Sequence, residues 1–124
     1  PRGRVDIEVY ELLARLEAED SRWSAVREHA ERARGLRPRR GSSERKAQIN
    51  LSVAELLATA YRRLASRARS AEARRDLRRR AVDAYTRLYD LAEESGHTAQ
   101  KAEAEKRLGE LTEDDAEPGQ FGGG

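Results

Sequence analysis

The chain contains no cysteine and no methionine, and only one tryptophan, one phenylalanine and three prolines among its 124 residues. Without cysteine there is no disulfide framework, no thiolate nucleophile and no cysteine-based zinc site, and the fold suits an oxidising or a reducing compartment equally. Nowhere do roughly 18 to 20 apolar residues run uninterrupted, so no segment reads as a membrane-spanning helix, and no apolar leader follows the basic start. A soluble protein is expected, with the cytoplasm favoured. The chain opens on Pro1 rather than Met, which reads as a processed chain or a piece of a longer one. A strong charge of one sign is also missing: 25 Lys+Arg face 23 Asp+Glu, a net charge of +2.

What is present is helix-forming. Ala (20), Arg (22), Glu (16), Leu (13) and Lys (3) fill about three-fifths of the positions, a composition of bundled or coiled helices in a single domain. Gly41 and Gly96 bracket 54 residues with neither glycine nor proline. Helical spacing of Val5, Val9, Leu12, Leu13 and Leu16 predicts a helix over 6–19 with those residues inward. Ser21 is placed to cap a second helix over 22–34, with Trp23, Val26, Ala30 and Ala33 inside and Gly35 as a left-handed end. A linker is expected over 37–43. Ser52-Val53-Ala54-Glu55 has the spacing of a capping box, flanked by Leu51 and Leu56 as a staple, and predicts a third helix over 53–69, with 44–50 as a short lead-in. The fourth helix is carried by Leu77, Ala81, Ala84, Tyr85, Leu88, Leu91 and Ala92 and stops at Gly96. Its separation from the third rests on Ser66 and Ser70; a continuous rod of about 50 residues would be roughly 75 Å long and would need a partner chain to cover it. A fifth helix is expected over 99–112, capped by Thr98, with Ala102, Leu108 and Leu111 inward. The division is thus a helical domain over 1–112 and an acidic, Gly-rich disordered tail over 113–124.

Tyr10, Leu13-Ala14, Trp23, Val26, Ala30, Ala33, Leu36 and Pro38 fall at the intervals of the tetratricopeptide repeat, a helix-turn-helix unit of about 34 residues, and the segment resembles that family. It departs at Glu17, where the pattern has Tyr, and at Ala30, where it has an aromatic. Ala54, Leu57-Ala58 and Tyr61 match a second first helix, and Ala81, Tyr85 and Leu88 its companion, with about 11 extra residues between them; Leu108-Gly109 resembles the start of a third unit. The resemblance implies antiparallel hairpins whose first helices line a concave groove for a partner peptide or helix. At matching positions the groove residues would be Glu11, Arg15, Glu55, Thr59, Arg62 and Arg63, without the Lys and Asn pattern of a carboxylate clamp. A generic antiparallel bundle is the plainer reading.

Charge is unevenly distributed. Residues 62–80 hold nine arginines against Glu72 and Asp76, residues 32–46 are also strongly basic, and residues 113–117 carry four acidic side chains. Guanidinium forks bind phosphates, so Arg74, Arg75, Arg78, Arg79 and Arg80 form a candidate nucleic-acid surface. No aromatic lies between Tyr61 and Tyr85 to stack on bases, which favours a solvated helix face paired to nearby carboxylates. His29 and His97 lack metal-ligand spacing, and no phosphate loop, dinucleotide turn or supported Ser-His-Asp set occurs. No catalytic residue, metal or cofactor is assigned. The expected function is a non-catalytic protein-interaction or scaffold module of all-α fold, the alternatives being a nucleic-acid binder and a self-associating bundle or homo-oligomer.

Overall fold

The structure, a computed structural model, describes residues 6–116, with side chains through residue 113. Among these residues it is all-α, with α1 Ile7–Glu19, α2 Trp23–Arg34, α3 Ser43–Arg67, α4 Ala71–Ser95 and α5 Thr98–Ala116. Each helix packs on the next along the chain, α3 on α4 most extensively, and α1 also touches α3. No helix among the described residues is long and apolar enough to cross a membrane.

The chain folds back at Ser70. Ala68 turns to an extended conformation, and the Ser70 hydroxyl accepts from the Ala73 amide at 3.0 Å, satisfying one of the free donors that start α4. The Arg74 guanidinium closes the turn from the other side by donating to the Ala68 carbonyl at 3.1 Å. α3 and α4 are therefore two helices of 25 residues each, paired side by side, and no continuous rod forms. α4 ends as expected at Gly96, whose φ of 75° is left-handed, and the His97 amide bonds back to the Ala92 carbonyl.

Several boundaries differ from those the sequence predicts. α3 begins at Ser43, ten residues before Val53, and its cap is the Ser42 hydroxyl, which accepts from the Arg45 amide at 3.1 Å. Ser52 is a mid-helix residue: its Ser-x-x-Glu pattern lies inside a helix already running, so its hydroxyl is released for a tertiary contact. α3 also stops at Arg67, two residues short of the predicted Arg69. At the start of α2 the cap position belongs to Arg22, with no side-chain cap bond, and Ser21 sits in the turn at φ 56°. Gly35 is right-handed at φ −78°, not left-handed. α5 includes Thr98 as its first residue and runs on to Ala116, into the acidic stretch expected to be tail.

The core is lined by alanine. Ala14, Ala30, Ala58, Ala60, Ala81, Ala92 and Ala104 are buried, and their small side chains let the helix axes approach closely. Tyr85, Leu57, Leu88 and Val26 are the largest fully buried side chains. Ile7, Ala33, Ile49 and Val53 form a second cluster joining α1, α2 and the first half of α3. In α5, Ala104 and Leu111 face this core while Ala102, predicted to, is exposed.

The largest correction concerns α1. Val9, Leu12, Leu13 and Leu16, assigned by spacing to the inner face, are 47%, 45%, 37% and 49% exposed. The buried side is Ile7, Glu11 and Ala14. Val5, the fifth of the predicted set, lies outside the described residues. α1 carries two apolar stripes, and the one with the smaller side chains faces the alanine-lined interior.

Ser70→Ala is expected to lower stability by about 1 kcal/mol in urea unfolding, the ordinary loss for an N-cap. Ser52→Ala should leave helicity by circular dichroism unchanged, because Ser52 caps nothing.

Candidate interaction groove

α1 and α3 are tied by a buried carboxylate. Glu11, 8% exposed, accepts from Arg15 Nε at 2.8 Å and from a terminal Arg15 nitrogen at 3.1 Å, and Ser52 Oγ of α3 donates to the same carboxylate. A buried carboxylate persists only when its lone pairs are met in this way. Ser52, released by the early start of α3, supplies the bond that joins the two helices.

Beside this staple lies an open groove of about 260 Å³ lined by Arg15, Ala18, Trp23, Ser52, Glu55, Leu56 and Thr59. Three of the six sequence-predicted groove residues, Arg15, Glu55 and Thr59, meet there. The others are placed differently. Glu11 is spent in the staple; Arg62 Nε donates to the Tyr85 hydroxyl of α4 at 2.9 Å; Arg63 lies 5.6 Å above the Trp23 ring, a cation–π contact at the groove's edge. Trp23, Ser52, Leu56 and Ala18 belong to the groove and were not singled out by the sequence, where Trp23 reads as core and Ser52 as a cap.

Glu55 is the chemically distinctive member. Half-buried, its carboxyl is pushed above the ordinary value, first by loss of water and then by the negative charge of Glu103 on α5. Glu103 moves the opposite way, held down chiefly by the Arg107 guanidinium, which donates to it at 2.7 Å. α3 and α5 thus bring acidic groups together beyond the groove.

The arginines of α4 are largely engaged. Arg74 holds the Ala68 carbonyl, Arg79 and Arg80 bond the two oxygens of Asp76 at 2.8 and 3.1 Å, and Arg80 is also linked to the Tyr61 hydroxyl. Arg78 is partnered as well. Arg75 and Arg79 line an open surface depression with Glu72 and Asp76, so carboxylates stand among the guanidinium groups.

Ser95, His97 and Glu44 lie in line, with Ser95 Oγ 2.8 Å from His97 Nδ1 and His97 Nε2 3.3 Å from a Glu44 oxygen. The Ser95 hydroxyl also donates to the Leu91 carbonyl at 2.7 Å, and these contacts link the α4–α5 turn to the start of α3. His29 stacks against Tyr10, its Nδ1 buried without a partner. Among the described residues no three His, Cys, Asp or Glu side chains are grouped to hold a metal ion.

Comparison of the chain with protein-family models, curated proteins and solved structures finds no match in any of the three.

Because the fold binds the Glu55 proton more tightly than the unfolded chain does, this group's stabilisation is complete below its ordinary value and is lost as pH rises through the folded one. Glu55→Gln is therefore expected to melt at a higher temperature than the parent at pH 7, with the gap closing as pH falls below about 4.5.

Proposed function

We propose that the chain is a non-catalytic interaction module of tetratricopeptide-like build that holds a partner peptide or helix in the groove between α1 and α3. The observation that carries this reading is the convergence of Arg15, Glu55 and Thr59 on one open groove that Trp23 and Leu56 also line. Such a surface offers an aromatic and an aliphatic contact together with one donor and one acceptor group, the mixture by which short peptides are oriented. Glu55 supplies the selectivity. A carboxylate partly stripped of water and facing a like charge gains most from a cationic or N–H donor on the partner.

An internal repeat supports the hairpin-array part of the reading. Val9-Tyr10-Glu11-Leu12-Leu13-Ala14 recurs as Val53-Ala54-Glu55-Leu56-Leu57-Ala58, differing at one position of six, and Ala14 and Ala58 are both fully buried. The offset is 44 residues, longer than the family's unit of about 34, because α3 starts ten residues before Val53 whereas α1 starts two before Val9.

A photo-crosslinking residue at Thr59 tests the groove. It is expected to trap a partner from lysate that the same residue at Asp90, on an exposed face of α4, does not. The charge exchange Glu55→Lys, which leaves the Glu11 staple intact, should abolish the Thr59 product while helicity is retained. Equal products from both positions, or an unaltered product after the exchange, would remove the assignment.

A further inference from the structure

The outer stripe of α1 lies away from the groove and takes no part in the proposed function. The repeated hexapeptide shows what such a stripe is built to meet. Val9, Leu12, Leu13 and Leu16 correspond to Val53, Leu56, Leu57 and Ala60 of α3. On α3, Val53, Leu57 and Ala60 are buried, Leu56 is half-buried, and the helix lying against that region is α2. Val53 clusters with Ala33 of α2, and Tyr61 donates to Glu31 of α2. The covering helix buries Val26, Ala30 and Ala33, small enough for close approach, with Trp23 at its start beside Leu56. On α1 the same stripe stands open.

The rim of the open stripe differs from its counterpart. Glu8 and Glu19 flank Leu12 and Leu16, Glu17 flanks Leu13, and Asp20 follows one turn beyond Leu16. α1 carries four glutamates and one arginine, Arg15, which pairs with Glu11; Arg22 and Arg45 stand 3.8 Å from Glu17 and Glu8, and with Glu19 and Asp20 the rim remains net acidic. A second copy's α1 would bring acidic rim against acidic rim. The residue at the position of Tyr61 is Glu17, so a covering helix with glutamate where α2 has Glu31 would be repelled and one with arginine or lysine there attracted.

We infer that the outer face of α1 docks an amphipathic helix whose small-residue stripe, of the Val-Ala-Ala kind that α2 lays on α3, is flanked by basic side chains. Four half-exposed aliphatic residues alone give only weak association, so the rim charges decide which helix binds.

The test is a charge-exchange cycle on the full chain. The probes are two labelled helical peptides of residues 22–36, one unaltered and one carrying Glu31→Arg, followed by fluorescence anisotropy. The Glu31→Arg peptide is expected to bind the parent chain about tenfold tighter, a difference of about 1.4 kcal/mol. Glu17→Arg in the chain should reverse that preference. Leu12→Asp with Leu16→Asp, both at exposed positions, should abolish binding of both peptides without loss of helicity. The groove variant Glu55→Lys should bind as the parent does, so that failure here and failure of the groove proposal are separable. Equal affinity of the two peptides, or binding that survives the leucine exchange, would overturn the inference. So would a parent chain that is a dimer by light scattering and becomes a monomer with the two leucines exchanged, since a second copy would then be the occupant.

Discussion

Alanine at the helix contacts is the constraint on which the rest of this structure depends. Helices that meet through Ala14, Ala30, Ala58, Ala60, Ala81 and Ala92 stand close together, and between such faces there is little room for large side chains. Only a few large residues, Leu57, Tyr85 and Leu88 among them, are fully enclosed. Ile7, Ile49, Leu51 and Tyr61 are buried as well, while other bulky groups lie at edges: Trp23 at the margin of a groove, Tyr89 beneath Lys101, and the leucines of α1 on the outside. With 37% hydrophobic residues and 39% charged, the helix surfaces carry arginine paired to glutamate or aspartate at three- and four-residue spacing. Such pairs add little stability each, so the alanine contacts carry the packing.

The two copies of the repeated hexapeptide show how one sequence pattern acquires two roles. Glu11 and Glu55 occupy the same position in it. Glu11 is surrounded by donors, Arg15 from its own helix and Ser52 from the next, and becomes a structural staple. Glu55 has Thr59 where Glu11 has Arg15, and it faces Glu103 across the fold, so its charge is left costly and available. A single exchange, Arg for Thr one turn along, separates a buried anchor from a groove residue.

The number and order of helices were legible because the interruptions are local events: a serine cap at Ser70 and a left-handed glycine at Gly96 each act within one turn. The start of α3 was not, since Ser42 and Ser52 both precede a Glu or a good helix former, and only the continuity of Ser43–Asn50 as helix decides between them. The inner face of α1 was misread for a physical reason. Spacing identifies an apolar stripe but not which of two stripes meets the core, and the larger aliphatic stripe gives the stronger periodic signal. The deciding signal was the repetition of Val-x-Glu-Leu-Leu-Ala 44 residues apart. It marks the leucine stripe as the side that α3 turns toward the preceding helix, a neighbour that α1 does not have among the described residues. Of the groove, the charged members were found by position within the repeat, whereas Trp23 and Ser52 were hidden behind more ordinary roles.

α1 therefore has two distinct sides separated by about half a turn, one held by the staple against α3 and one facing outward. They differ in how solvent acts on them. The groove side holds a half-buried carboxylate, Glu55, which salt screens weakly, beside a largely exposed Arg15; the outer side sets its acidic residues at the solvent edge of an aliphatic stripe, where screening is strong. A partner held at the groove answers mainly to the fit of a few polar groups, and one at the outer face mainly to burial of the leucines, with charge choosing among candidates. Glu11 fixes α1 to α3 through Arg15 and Ser52, which also line the groove, whereas the outer leucine stripe shares no residue with that contact.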